Sequence, residues 1–223
     1  MTKRVKKRIK FKIVPIFIFL LICALLYFLG TIIYDTNIKN IYIINNNLIS
    51  DQEIIDLAGL EEYPGFFKVN SKKIKENLKQ NKIIKDVKIK RKFFNVLEIY
   101  IDEYEPVFIK DNQTVLENKT KVDKVLYKLP ILSNLEENDI YDSLIKKLVS
   151  IDKEARDDIS QIIYTPTEYD KTRFLLYMDD GNHIYINIVK FTNLNFYRDI
   201  YPTLNNKKGT LYLDSGNHFE IFK

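Results

Sequence analysis

From Ile13 to Ile33 the chain reads IVPIFIFLLICALLYFLGTII, a run with no charged residue. At the rise of an α-helix that run spans roughly 30 Å, the thickness of a bilayer's hydrocarbon. It predicts a single membrane-crossing helix. Pro15 falls in its first turns, where a missing N–H is tolerated, and Tyr27 and Tyr34 fall where an outer interface holds amphipathic rings. The pattern then changes. Ile41–Ile44 predicts a short strand, followed by Asn45, Asn46 and Asn47, which tolerate left-handed backbone. Ser50 with Glu53 forms a capping box, and Ile49 with Ile54 the apolar staple around it. Ile54, Ile55, Leu57 and Ala58 give the buried face of a helix that Gly59 stops. A second helix starts at Asn70 or Ser71 and carries Ile74 and Leu78 at i, i+4. In DVKIKR and VLEIYIDE the apolar positions alternate (Val87, Ile89; Leu97, Ile99, Ile101), predicting two strands joined at FFN. The order β-α-α-β-β with polar outer faces describes a sheet covered on one side by two helices.

Beyond Pro106 the pattern is mostly period two. VFI and TVL flank the turn KDNQ, and KLPILSN adds a short extended piece. Ile140, Leu144, Leu148 and Ile151 share a helical face, and ISQIIYTP returns to strand. RFLLYM and HIYINIV are strands joined by DDGN, a strong hairpin signal. TNLNFYRDIYPTL predicts a helix with Leu194, Tyr197, Ile200, Tyr201 and Leu204 inward and Pro202 as a local fault. TLYL and HFEIF form the last pair of strands, meeting at DSGN. The fold class is α+β: one N-terminal transmembrane helix, a small α/β unit, then a mixed or antiparallel β-rich unit with flanking helices.

Charge orients this arrangement. The first twelve residues carry seven of the 35 Lys and Arg residues and no acid, leaving 28 basic against 30 acidic side chains after them. Basic flanks stay in the cytoplasm, so the remainder lies outside. The net charge of +5 is therefore a membrane-flank effect, and a near-neutral outer portion without a basic patch excludes nucleic-acid binding. The apolar run is longer than a signal peptide's and no small-x-small site follows, so the anchor is expected to be retained. Cys23, preceded by bulky Ile22, reads as a small apolar helix residue rather than a lipidation site. No cysteine follows it, so ordinary cores must hold the outer domains together.

Candidate chemistry is thin. DDGNH and DSGNH hold both histidines, His183 and His218, yet Asp, Gly and Asn are what tight turns require. Ser215 stands too near His218 around one turn for triad geometry. Ser143 with Lys146 and Ser150 with Lys153 match S-x-x-K, but the companion motifs are in reverse order, with KKG at 207–209 before SGN at 215–217. NQT and NKT match glycosylation sequons by composition alone. No catalytic, metal or cofactor site is expected.

The asparagine turn followed by LIS and EII, then AGL at 58–60, PGFF at 64–67, IKDVKIKR at 84–91, NVLEIYIDE at 95–103 and EP at 105–106, together resemble the POTRA domain of the FtsQ/DivIB family of bacterial cell-division proteins. The family usually has Gly where Asn45 stands, Pro near Lys82 and Pro where Phe94 stands. The resemblance implies a basic cytoplasmic tail at 1–12, a transmembrane helix at 13–33, a POTRA domain at 38–106 and a β domain at 107–223. It implies a non-enzymatic scaffold at the division septum that binds FtsB/DivIC-like and FtsL-like single-pass coiled-coil proteins and helps switch on septal peptidoglycan synthesis. A last strand at the sheet margin leaves unpaired N–H and C=O groups for a partner strand. By position the docking stretch is Tyr212, Leu213, His218, Phe219, Glu220, Ile221 and Phe222, with Tyr212, Phe219, Ile221 and Phe222 as apolar anchors. The POTRA domain, behind the linker 35–39, would serve recruitment or orientation. Two other readings stand beside this one: a membrane-tethered enzyme acting on the cell wall, tested at Ser143 and Ser215, and a POTRA-bearing secretion component, which normally continues into a β-barrel.

Overall fold

Two polar side chains start the two short helices. Ser50 Oγ accepts from the Glu53 N–H at 3.2 Å, and Asn70 Oδ1 accepts from Lys72 and Lys73, so each orphan first turn is closed locally. Gly59, at φ 66°, ends the first of them in the left-handed conformation that glycine adopts without a Cβ penalty. These features belong to a computed structural model that describes residues 13–34, 36–93, 95–125, 128–204 and 207–223. The basic tail and the Phe94 position therefore lie outside the described residues.

The chain divides into two units, one running through Asn81 and including Asp86–Asp102, the other holding Lys82–Lys85 and Glu103–Lys223. The first begins with α1 (Ile13–Tyr34), whose stretch from Val14 to Thr31 is long and apolar enough to cross a membrane and has none of its residues buried. There follow β1 (Asn40–Ile44), α2 (Asp51–Ala58), α3 (Ser71–Leu78), β2 (Ile84–Lys92) and β3 (Val96–Glu103). The sheet order is β1-β3-β2, with β1 parallel to β3 and Ile41 and Ile43 opposite Leu97 and Ile99. The left-handed turn after β1 falls on Asn45, at φ 68°. Ile49 and Ile54 are both buried, as the staple requires, and join Ile74, Leu78, Val87, Leu97, Ile99 and Ile101 in the core. Alternation along β3 puts Glu98, Tyr100 and Asp102 on the opposite face.

Asp86 on β2 lies 2.7 Å from Lys79 and 2.9 Å from Lys75 of α3. The two ammonium groups, Lys79 foremost, hold its carboxyl far below the ordinary aspartate range. A carboxyl depressed on folding stabilises the fold fully above its unfolded pKa and loses that effect as pH falls through the folded value. The stability gap between the native chain and Asp86→Asn is therefore expected to be largest at neutral pH and to close below about pH 4. Urea titrations of both chains across that range read it. A gap independent of pH would show that the ion pairs contribute nothing.

The second unit contains β4 (Pro106–Lys110), β5 (Gln113–Leu116), β6 (Lys121–Val122), β7 (Ile131–Ser133), α4 (Asp139–Ser150), α5 (Lys153–Asp157), β8 (Ile159–Tyr164), β9 (Arg173–Met178), β10 (His183–Asn187), α6 (Tyr197–Ile200), β11 (Gly209–Tyr212) and β12 (His218–Ile221). The strands make one mixed sheet in the order β12-β11-β10-β9-β8-β7-β4-β5-β6. One residue from each of six neighbouring strands builds a continuous apolar file: Leu132, Ile162, Leu176, Ile184, Leu211 and Phe219. Tyr141, Leu144, Ile145 and Leu148 of α4, with Phe191, Leu194 and Tyr197, belong to the same core.

The segment expected to be one helix over 192–204 is instead a 3-10 turn at Phe191–Phe196, a single α-turn, and a second 3-10 turn at Tyr201–Leu204. Pro202 offers no N–H to an α-helical ladder, and the short backbone bonds of 3-10 turns accommodate that. Ile151 is buried as expected but sits in extended backbone as the cap of α4 rather than on its helical face.

Candidate partner-binding edge

The C-terminal hairpin is held to the sheet from one side only. β11 pairs with β10 in parallel and with β12 antiparallel, and β12 has no further neighbour among the described residues. The Phe222 N–H donates to Lys208 O at 2.9 Å. In an antiparallel ladder bonded and non-bonded pairs alternate, so Glu220 and His218 also face β11 with their backbone groups. Phe219 and Ile221 direct their N–H and C=O groups to the open side.

Side chains alternate correspondingly. Phe219 and Ile221 lie on the core side, where Phe219 completes the apolar file and Ile221 remains 53% exposed. Beside them is a cavity of about 320 Å³ lined by Asn193, Phe196, Ile200, Leu211, Leu213 and Phe219, with Asn217 at the turn. Tyr212, His218, Glu220 and Phe222 fall on the opposite face. There Arg173 stacks over Tyr185 at 3.7 Å, Tyr185 on Tyr212 at 5.3 Å, and Tyr212 on His218 at 4.5 Å, making a ladder of rings across β10, β11 and β12. A second group joins Tyr177, His183 and Phe222, with burial lowering the His183 pKa and favouring its neutral ring.

Of the residues singled out from sequence, His218, Glu220, Ile221 and Phe222 are exposed, and Tyr212 and Phe219 are half-buried. Leu213 is 4% exposed and forms part of the core, because its alternation puts it in line with Leu211, so it supports the hairpin from within.

Asn182 is the residue whose importance the sequence hid. In DDGNH it reads as a turn residue, and its N–H does close that turn on Asp180. Its side chain is also buried. The amide nitrogen donates to Tyr197 Oη at 3.0 Å, and the amide oxygen accepts from the Gly209 N–H at 3.0 Å. One side chain thus joins the β9–β10 turn, α6 and the first residue of β11. Burial and the adjacent Asp180 carboxylate keep the Tyr197 hydroxyl protonated far beyond the ordinary phenol range, which suits its donation to Asp180 at 2.6 Å.

The serines of the S-x-x-K pairs are engaged with their own helix: Ser143 Oγ donates to Asp139 O at 2.7 Å and Ser150 Oγ to Lys147 O at 2.8 Å. Ser215 Oγ donates to Asp214 Oδ1 at the hairpin turn. Among the described residues, no group of three or more His, Cys, Asp or Glu residues is arranged to hold a metal ion.

Residues 36–104 match the family described as POTRA domain, FtsQ-type. Cell division protein DivIB of Bacillus cytotoxicus is 31% identical over 183 residues, covering 78% of this chain and 70% of that protein. The chain belongs to the DivIB family. DivIB of Bacillus subtilis is 28% identical over 93% of this chain and 82% of its own length, and DivIB of Listeria monocytogenes 25% identical over 98% and 84%. The major extracytoplasmic domain of the trans isomer of DivIB from Geobacillus stearothermophilus aligns with 47% of this chain and 96% of its own, at 21% identity and a TM-score of 0.39. In DivIB terms the three-stranded unit is the POTRA domain and the edge strand belongs to the β-rich domain after it. The apolar helix ahead of both fits a single-pass membrane protein with an extracytoplasmic portion.

Proposed function

We propose that this DivIB-family chain is a non-enzymatic divisome scaffold whose β12 edge receives a strand from an FtsB/DivIC-like partner outside the membrane, that complex joining an FtsL-like protein to regulate septal peptidoglycan synthesis. The observation that carries the reading is the open side of β12, where the backbone groups of Phe219 and Ile221 face outward between exposed apolar side chains. An added strand gains main-chain hydrogen bonds from such an edge, and flanking pockets read its side chains. The cavity beside Phe219 and the exposed apolar side chains of Phe196, Ile221 and Phe222 supply both faces of such a contact. Orientation follows from the basic tail, which holds the N-terminus in the cytoplasm and places both outer domains where the septal wall is built.

Ile221→Pro isolates the outward backbone donor. Proline removes the N–H that faces the partner, and edge strands tolerate it because β11 does not use that group. The full-length variant, solubilised in detergent and used as bait, is expected to keep its native circular dichroism and to lose the small coiled-coil proteins that the native chain retains, by about tenfold or more in capture. Undiminished capture by a folded Ile221→Pro chain would rule out strand addition at this edge.

A further inference from the structure

The membrane helix ends against aromatic rings of the POTRA domain. Tyr34, the last residue of α1, stacks on Phe67 with ring centroids 6.3 Å apart and planes at 16°, and Lys68 Nζ lies 5.7 Å over the same tyrosine ring. Phe67 belongs to the loop PGFFKV, which the chain leaving the helix holds directly: Phe66 N–H donates to Thr36 O at 2.8 Å, and Ile38 N–H to Pro64 O at 3.1 Å. The β2–β3 turn is tied to the same exit segment, with Asn95 Nδ2 donating to Asn37 O at 3.1 Å and Lys39 N–H to Asn95 O at 2.9 Å. Both loops expose phenylalanine, Phe67 at 44% and Phe93 at 91%. Two loops far apart in sequence thus converge on residues 36–39, just beyond the helix, and each presents an apolar ring to solvent.

We infer that these loops form a second membrane contact, in which Phe67 and Phe93 enter the outer interface of the bilayer beside Tyr34 and seat the POTRA domain on the lipid. The inference rests on α1 spanning the membrane. Given that span, Tyr34 lies at the outer end of an uncharged run and must sit at interface depth, where aromatic rings are enriched. A ring stacked on Tyr34 shares that depth. Lys68, over the Tyr34 ring, stands where an ammonium group meets lipid phosphates while its methylenes cover the ring. Neither the Phe67 ring nor the Phe93 ring is enclosed by the core, and an interfacial position accounts for both exposed rings.

The chain contains no tryptophan, so one introduced ring is an unambiguous reporter. Phe67→Trp, Phe93→Trp, Leu20→Trp within α1 and the 97% exposed Tyr169→Trp in the other unit would each be made in the full chain and reconstituted in phosphatidylcholine–phosphatidylglycerol vesicles. Quenching by lipids brominated at shallow and deep acyl positions reads the depth of each ring. Leu20→Trp is expected to be quenched most by deep bromines. Phe67→Trp and Phe93→Trp are expected to be quenched most by shallow ones, with emission shifted to shorter wavelength than that of Tyr169→Trp. Quenching of Leu20→Trp alone, with both loop reporters as unquenched as Tyr169→Trp, overturns the second contact while leaving the anchor intact. An unquenched Leu20→Trp removes the anchor and the inference together.

Discussion

Gly209→Ala releases the last strand from the sheet while the remaining strands stay in place. A Cβ at this position would stand 2.1 Å from Glu220 O and 2.7 Å from the tip of the Phe219 ring. The first of these is backbone, so relief requires moving a strand. Gly209 cannot retreat, because its N–H is held by the buried amide oxygen of Asn182. β12, bonded on one side only, is the element that gives way. Overpacking of this kind costs about 1–3 kcal/mol, which is a large fraction of what a short edge strand gains from its ladder. Hydrogen exchange at the Glu220 and Phe222 amides should accelerate by roughly ten- to a hundred-fold, and partner capture should fall with it. Exchange unchanged from the native chain would mean that the hairpin absorbs the methyl group elsewhere.

Glu105→Ala should destabilise the second unit through a charge that it leaves behind. Arg156 is one of few charged side chains inside that unit, 5% exposed, and it meets the Glu105 carboxylate while donating to Leu148 O at 3.3 Å. Removing the acid strands the guanidinium. Breaking a fully buried pair costs 3–5 kcal/mol, but the Glu105 side chain is 43% exposed and water replaces part of the interaction, so about 1–3 kcal/mol is expected in urea titrations. Adding Arg156→Met to the Glu105→Ala chain should recover much of that loss, because the apolar side chain fills the space without a charge to satisfy. A Glu105→Ala chain within about 0.5 kcal/mol of the native one would show the pair to be incidental. The interaction gives the glutamate of the EP motif a structural role.

What could be read from sequence was local. Ser50 with Glu53, Asn70 ahead of its helix, Gly59 after Ala58, and the alternation of Leu97, Ile99 and Ile101 each act over three or four residues, and the helices and strands formed where they pointed. Hidden features join distant residues. Arg156 stands 51 positions from Glu105, and Gly209 stands 27 from Asn182. Neither partner's identity is encoded near the other. α5 and β6 escaped notice because each is too short to establish a period. At the candidate edge, sequence reasoning singled out Ile221 and Phe222, which are exposed on opposite faces of the strand, but it also included Leu213, because the hydrophobicity of a residue does not say which side of a strand it takes. Strand register decided that.

The parallel pairing of β1 with β3 also sets how the chain bears load. Tension between the membrane helix and the second unit enters β1 at Asn40 and leaves β3 at Glu103. In parallel strands these are opposite ends of the ladder, so the pull slides one strand along the other and loads the five register pairs from Asn40 to Ile44 together. A hairpin pulled at its two ends would open one bond at a time. Under such tension the POTRA domain acts as a shear joint: force is shared across its central strand before any single bond yields.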